Sequence, residues 1–162
     1  MASTFLLWEA RTLERPENTR YLSAWSGEIR LIVQSIAFAY AGGGEPHRET
    51  DPLNLADPVR SVTVKGAADM EEQVLAAAGL DGVILRYGFL YGPGTWHAEP
   101  TRKPGLHVDA AAQAALLALT RGAPGVYNIA DDDGVVSIAK ARAEFGFDAL
   151  TVVIEHEEPH SR

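Results

Sequence analysis

The sequence predicts an α/β protein whose sheet is mainly parallel. Three short apolar, largely β-branched runs alternate with longer segments of helical period, and turn residues separate them. Strands that alternate with helices are typical of βαβ units, in which the strands run parallel and are buried on both faces. The predicted strands are Ile29–Val33, Val83–Leu85 and Val126–Ile129. The length of 162 residues predicts one domain, 1–148, and a polar tail, 149–162.

Two helices are predicted in the first half of the chain. The first covers Glu17–Trp25, where apolar residues three apart share a face. The second covers Ala67–Ala78 and ends at a glycine. Its apolar residues share one face, so Glu71 and Glu72 are expected to face water.

Two more helices are predicted in the second half. The third covers Asp109–Leu119, with Asp109 as the N-cap whose carboxylate accepts from the first free backbone N–H groups. The fourth covers Ile138–Phe145 and is capped by Ser137. Glycines follow both helices, as is common at helix ends.

Glycine and proline are concentrated in two loops, 42–58 and 92–105. This density of turn residues argues against regular structure there. Loops that lie over the carboxyl end of a parallel sheet often carry binding residues. We therefore expect the second loop, which contains Trp96 and His97, to contribute to a site.

The composition excludes several classes of protein. Cysteine is absent, so disulfides and thiolate chemistry are excluded. The net charge of −8, without a run of basic residues, argues against nucleic-acid binding. The longest nearly apolar stretch, Ile32–Ala41, is too short and too polar to span a bilayer. Residues Met1–Trp8 have no basic residue before their apolar run, which argues against a signal peptide, so a cytoplasmic protein is expected.

Four short strings are more specific than the periodicity. They are RLIVQSIA at 30–37 followed by Tyr40, LRYGFLYGPG at 85–94, HVD at 107–109 and GVYNIA at 125–130. In order and spacing they resemble the second half of the extended short-chain dehydrogenases/reductases, the family of NAD-dependent epimerases, dehydratases and reductases. The resemblance covers about residues 17–148. It implies a partial Rossmann-like parallel sheet with flanking helices that lacks the N-terminal dinucleotide-binding units, and it implies NAD or NADP as cofactor.

Two features of that family are missing from the sequence. None of the 15 glycines belongs to the Gly-rich turn that holds the cofactor pyrophosphate. The family also uses a tyrosine four residues before a lysine on one helix face, and none of the five tyrosines here has a lysine at that spacing. In the matching helix, Thr63 and Ala67 stand near those positions, and Lys65 is out of register. Activity of this chain alone is therefore not expected.

The resemblance assigns catalytic and cofactor-binding roles to three residues. Ser35 matches the strand-end serine that helps to hold the substrate oxygen, although the catalytic position could instead fall on Ile36 or Ala37. Its alternative role is a strand-end hydroxyl bonded to the backbone. Tyr87 and Gly88 match the strand end beside the nicotinamide, which makes them cofactor-binding candidates. Tyr87 could equally be an ordinary half-buried aromatic residue.

Three further residues are substrate-binding candidates by the same resemblance: Tyr91, Trp96 and His107. A loop tryptophan is often a packing anchor, and a structural hydrogen bond is the alternative for His107. No metal site is expected, because Pro159 interrupts the one histidine pair with helical spacing, His156 and His160.

Three functional hypotheses follow. In the first, the chain is an NAD(P)-dependent epimerase, dehydratase or reductase that acts on a sugar nucleotide or a small carbonyl compound. In the second, it is a non-catalytic protein that binds a small ligand or another protein. In the third, it is a half-enzyme that a partner chain completes. A sheet without its first units would leave an apolar edge open. Residues Met1–Trp8 could partly cover it as a substitute strand or helix. We otherwise expect a homo-oligomer or a partner chain, with no nucleic-acid or membrane partner.

Overall fold

The three predicted strands lie side by side in one parallel sheet. The computed structural model describes residues 29–149. The strands are β1 (Ile29–Ile36), β2 (Leu80–Tyr87) and β5 (Gly125–Ile129), in the order β1-β2-β5. Each strand is longer than predicted, and the α/β class is confirmed. The register pairs the last residue of β1 with that of β2, and the last residue of β2 with that of β5, so all three strands end at the same level.

The second Gly/Pro-rich loop is framed by a small parallel ladder that the sequence analysis missed. Strand β3 (Phe89–Tyr91) follows β2 directly and pairs with β4 (Gly105–His107). Strands of three residues are too short to show a period of two, and the surrounding turn residues mask them. The ladder anchors both ends of the loop beside the carboxyl end of the main sheet.

Helix α1 (Ser61–Ala76) begins six residues earlier than predicted. Its polar side was also predicted incorrectly. Glu72 is exposed as expected, but Glu71 is buried, with 5% of its surface exposed. A glutamate is buried at this level only when a partner compensates its charge, and the partner, Arg86 of β2, lies 15 positions away in the sequence.

Helices α2 (Val108–Ala118) and α3 (Ala139–Phe145) agree closely with the predicted ranges, but the N-cap of α2 was predicted incorrectly. The cap is His107, whose Nδ1 accepts a hydrogen bond from the Asp109 backbone N–H at 3.3 Å. The N-cap of α3 is Ile138 rather than the predicted Ser137, whose hydroxyl accepts from the Ala139 N–H at 3.4 Å from one position earlier. The predicted helix Glu17–Trp25, residues Met1–Trp8 and the end of the tail lie outside the described residues.

The core lies between the sheet and helices α2 and α3. Alanines line the buried face of α2, so its backbone approaches the sheet closely, and Phe145 of α3 packs on Tyr127 of β5 with ring centroids 4.2 Å apart. Within residues 29–149 no helix is long and apolar enough to cross a membrane.

Candidate functional site

A cavity of about 360 Å³ opens at the carboxyl ends of β1 and β2. We call it the strand-end pocket. It is lined by Gln34, Ser35, Ile36, Phe38, Tyr87, Gly88, Phe89, Leu90, Tyr91, Trp96, His97, Thr101 and Arg102. Ligands of open parallel sheets bind at this end of the strands. The pocket brings together five of the six predicted site residues; His107 lies outside the lining.

Gly88 is required by the close approach of the β3–β4 ladder. A Cβ atom at this position would lie 2.6 Å from the Gly105 carbonyl oxygen and 2.7 Å from that of Pro104. Its backbone N–H donates to the Ile129 carbonyl at 3.0 Å. The glycine thus lets the chain turn from the main sheet into the ladder at the base of the pocket.

Ser35 is bonded to a buried carboxylate rather than to the backbone. Its hydroxyl donates to Glu71 Oε1 at 2.5 Å. Arg86 donates to the same carboxylate through Nε at 2.9 Å and Nη2 at 2.6 Å, a bidentate pair of a kind that is strong and geometrically specific. The Ser35 proton is therefore engaged with Glu71, while the oxygen keeps its acceptor capacity.

Two more polar side chains extend this network. Arg86 Nη1 donates to the Tyr40 hydroxyl at 2.8 Å, and that hydroxyl donates to Asn128 Oδ1 at 2.6 Å. Burial raises the pKa of Tyr40 in spite of the nearby guanidinium. Burial acts to lower the pKa of Arg86, but its hydrogen bonds to Glu71 and Tyr40 raise the net pKa, so the guanidinium stays charged.

The sequence analysis missed this network, although Tyr40, Arg86 and Asn128 all belong to the strings that carry the family resemblance. Only Glu71 lies outside those strings. Polar residues within otherwise apolar, buried strands were therefore the sequence signal that could have identified the network.

Tyr87 presents its ring to the pocket and its hydroxyl to the protein interior. The hydroxyl donates to the Ala111 carbonyl of α2 at 2.7 Å, and burial raises the pKa of the phenol. A hydroxyl held in this way is not placed to exchange a proton with a ligand. Tyr87 therefore contributes an apolar wall.

Tyr91 connects the pocket to Asp131. Burial raises the pKa of Tyr91 to about 12, and its hydrogen bond to Asp131 acts in the same direction. Burial also raises the pKa of the Asp131 carboxyl. The edge of the His107 ring lies behind, with the ring centroids of Tyr91 and His107 5.3 Å apart. His107 thus supports Tyr91 and caps α2, which agrees with the structural alternative considered for it.

The mouth of the pocket is aromatic and carries a cation. The rings of Phe38 and Phe89 stack with centroids 4.0 Å apart, and the Arg102 guanidinium lies 5.4 Å from the Phe89 centroid. Trp96 is 98% exposed, so it is not the packing anchor considered as its alternative. Sequence reasoning did not find Phe38, Phe89 or Arg102, although Arg102 lies in the loop that it favoured.

Comparisons with known proteins agree with this architecture. No protein-family model matches the sequence. A 3-diazoavenalumate denitrifying reductase from a Streptomyces species is 37% identical over 144 residues, which covers 74% of this chain and 47% of that protein. The chain thus spans about half the length of this curated relative.

Solved structures of similar architecture include nucleotide-sugar epimerases. The UDP-glucuronic acid 4-epimerase of Bacillus cereus in complex with NAD has a TM-score of 0.59 at 14% identity, covering 74% of this chain and 55% of that one. RMD of Pseudomonas aeruginosa complexed with NADPH has a TM-score of 0.63 at 15% identity, covering 80% and 64%. The UDP-glucose 4-epimerase of Thermotoga maritima with UDP-glucose has a TM-score of 0.58 at 16% identity, covering 75% and 58%.

The chain has an extended short-chain dehydrogenase/reductase fold. The resemblance deduced from the four strings and the likeness in three dimensions thus agree on the architecture.

Helix α1 of this short-chain dehydrogenase/reductase fold departs from the family pattern at the acid–base positions. Thr63 and Ala67 lie four residues apart on α1, about two turns and one turn, respectively, before the buried Glu71. Thr63 and Lys65 are exposed, and Ala67 is half-buried. The helix face that carries tyrosine and lysine in the family therefore carries neither a phenol nor an ammonium group here.

The described residues do not fit a complete dinucleotide. The strand-end pocket supplies an apolar floor at Gly88 and one guanidinium at Arg102, but no turn in residues 29–149 offers the Gly-x-Gly pattern that opens a helix beneath a pyrophosphate. The Ser35 hydroxyl is bonded to Glu71. We therefore derive no hydride-transfer step from these residues. No metal-binding cluster of His, Asp or Glu occurs in the same part of the chain.

Proposed function

We propose that the strand-end pocket is the substrate site of an NAD(P)-dependent reductase or epimerase. The observation that carries this proposal is the convergence of Ser35, Tyr87, Gly88, Tyr91 and Trp96 on one cavity at the carboxyl ends of β1 and β2. Ser35 is distant in sequence from the other four, and the resemblance had assigned all five to a site. Hydride chemistry on a small carbonyl or sugar-nucleotide substrate is the reaction class proposed.

Two kinds of relative support this class. The curated relative is named as a reductase, and the solved structures include complexes with NAD and NADPH. The dinucleotide would be held mainly by groups beyond residues 29–149, either in the same protein or in a partner chain. The pocket would then supply the walls around the reacting end of the substrate.

We further propose that the chain by itself does not turn substrate over. A positioned acid–base group contributes about 10²–10⁴ in rate, and Thr63 and Ala67 cannot supply one. Tyr91, with a pKa raised to about 12 by burial, is a poor proton donor near neutral pH. Catalysis would require a group from outside the described residues.

A titration of the full chain with NADH and NADPH tests the proposal. Trp96 lines the pocket, so a dinucleotide bound there should quench its fluorescence, and the variant Trp96→Phe measures the background from Trp8 and Trp25. Saturable, Trp96-dependent quenching at micromolar cofactor is the expected result if this chain contributes to a cofactor site. No calorimetric or fluorescence response up to millimolar cofactor would contradict a cofactor site formed by this chain alone, and would leave the half-enzyme and the non-catalytic ligand-binding hypotheses.

A second candidate is a ligand-binding protein without catalysis, favoured by the residues at the acid–base positions of α1. Such a protein would bind a small molecule in the strand-end pocket with equal affinity in the presence and absence of cofactor. An enzyme would show coupled binding, because the cofactor forms part of its substrate site.

A further inference from the structure

The charge of the strand-end pocket differs from that of the whole chain. The chain carries 22 acidic and 14 basic residues. None of the thirteen lining residues is Asp, Glu or Lys, and the one permanent charge among them is that of Arg102. In an acidic protein, a pocket without carboxylates and with a guanidinium at its mouth is complementary to an anion.

Arg102 has hydrogen-bonding capacity left for a ligand. Three other arginines in the described part of the chain are paired with carboxylates, Arg60 with Asp57, Arg86 with Glu71 and Arg142 with Asp132, and Arg30 and Arg121 donate to backbone carbonyls. The Arg102 guanidinium lies over the Phe89 ring. A guanidinium over an aromatic ring keeps its in-plane N–H groups available for a bidentate contact with a carboxylate.

Two acidic residues close to Tyr91 lie outside the lining of the pocket. Asp131 and Glu99 both act on Tyr91, and Asp131 is hydrogen-bonded to it. Neither residue lines the cavity. The lining itself therefore carries no carboxylate that would repel an anion at Arg102.

The aromatic lining indicates the rest of the ligand. Five lining residues are aromatic: Phe38, Tyr87, Phe89, Tyr91 and Trp96. Tryptophan is usually well buried, yet Trp96 leaves both faces of its indole open to solvent. A planar ring that stacks on Trp96 would cover this surface, and offset stacking is the geometry that aromatic pairs prefer.

We propose that the strand-end pocket binds a small planar aromatic carboxylate. The ring lies against Trp96 and the aromatic wall, and the carboxylate is held by Arg102. A volume of about 360 Å³ suits a ligand with one or two rings, and a nucleoside diphosphate would bring at least two charges to a single cation. This inference rests on the proposed function, since both concern the same pocket.

Three matched probes test the ligand class with the full chain. They are trans-cinnamate, its neutral amide trans-cinnamamide, and sorbate, which keeps the carboxylate and conjugation but lacks the ring. Calorimetry gives the affinities, and backbone amide NMR shifts show whether lining residues such as Gly88 and Leu90 respond. Cinnamate should bind at least about tenfold more tightly than either of the other probes.

The variant Arg102→Gln should weaken cinnamate binding about tenfold or more and leave cinnamamide binding unchanged, because it removes a charge-assisted contact. Arg142→Gln is the matched control, since Arg142 is also exposed but lies outside the pocket, and it should leave both affinities unchanged. Unaltered circular dichroism verifies that the variants fold.

Each other outcome has a distinct meaning. Equal binding of cinnamate and cinnamamide, or equal binding to Arg102→Gln and the parent chain, overturns the anion site. Equal binding of cinnamate and sorbate overturns the aromatic part. If the lining residues respond to NADH or UDP-glucose but not to cinnamate, the ligand class is wrong and the proposed function stands. If no probe or cofactor shifts these residues, both are overturned.

Discussion

Glu71 joins α1 to the sheet through charge as well as through packing. Its carboxylate accepts hydrogen bonds from Ser35 of β1 and from Arg86 of β2, and all three side chains are buried. Removing one partner of a buried ion pair leaves an uncompensated charge, whereas replacing both by apolar residues can be nearly neutral. The network therefore ties α1 to the penultimate residues of β1 and β2, next to the pocket.

We expect Glu71→Leu to lower the free energy of unfolding by about 3–5 kcal/mol, because Arg86 stays charged and loses its bidentate partner. Urea unfolding followed by circular dichroism measures this change. The double variant Glu71→Leu/Arg86→Met should recover much of the loss. Glu72→Gln, at the exposed neighbouring position, should change stability by less than about 0.5 kcal/mol. Equal losses of stability in Glu71→Leu and Glu72→Gln would contradict the role given to Glu71.

Tyr91 makes stability depend on pH in the alkaline range. The pKa of its phenol rises from an ordinary value of 10.0 to about 12, mainly through burial. The folded state thus holds the proton more tightly than the unfolded state. The resulting contribution to stability is complete below pH 10 and is lost as the pH rises from 10 through 12.

We therefore expect the free energy of unfolding to fall between pH 10 and 12, and Tyr91→Phe to reduce the slope of that fall. Urea unfolding at a series of pH values gives both slopes. Tyr87 and Tyr127, whose pKa values are also raised by burial, should account for much of the slope that remains. An unchanged slope in Tyr91→Phe would show that Tyr91 titrates normally.

At the scale of elements, the β3–β4 ladder determines the position of the loop that closes the pocket. Strand β3 begins directly after β2 ends, and the Phe89 N–H donates to the Pro104 carbonyl, just before β4, at 2.8 Å. Trp96, His97 and Arg102 all lie in the chain between β3 and β4. The ladder therefore attaches the loop that carries these three residues to the main sheet.

We expect Gly88→Ala to destabilise the protein by about 1–3 kcal/mol, because the new methyl group would meet backbone oxygens that cannot rotate away. The matched control is Gly66→Ala in α1, where a Cβ would meet nothing within 4 Å. This substitution should stabilise the helix by about 0.5–1 kcal/mol. Thermal and urea unfolding compare the stabilities of the two variants. An unchanged free energy of unfolding in Gly88→Ala would show that the β3–β4 ladder can move to accommodate the methyl group.

At the scale of the whole molecule, several features favour association. Within residues 29–149 the outer edge of β1 has no neighbouring strand. Val59, just before α1, is 88% exposed, and Val62, in its first turn, is 85% exposed. Open strand edges and exposed apolar side chains are the usual sites of pairing between chains. We propose that the chain forms a homo-oligomer or pairs with a partner chain.

Sedimentation velocity at micromolar concentration should then show a species larger than the 17.4 kDa monomer, or aggregation when the partner is absent. Dilution should shift the distribution toward monomer if the association is reversible. A folded monomer at all concentrations would contradict the proposal. Circular dichroism under the same conditions shows whether that species is folded.

The sequence by itself determined the α/β class, the three main strands and the approximate ranges of α2 and α3. These features depend on local patterns, since a buried strand needs a continuous apolar run and a helix needs a 3.6-residue period with suitable ends. The four strings also contain four of the residues that meet at the pocket, Ser35, Tyr87, Gly88 and Tyr91, and the second Gly/Pro-rich loop supplies the fifth, Trp96.

Only the tertiary structure decided the environment of Glu71, the β3–β4 pairing and the position of Arg102 at the pocket mouth. The helical pattern of α1 places Glu71 on the solvent-facing side. Its burial depends on the charge of Arg86, which belongs to strand β2. The cap of α2 was likewise decided by the geometry of His107 rather than by residue preference. Long-range charge pairing and short ladders leave no periodic trace in a sequence, because their energy comes from neighbours that only folding brings together.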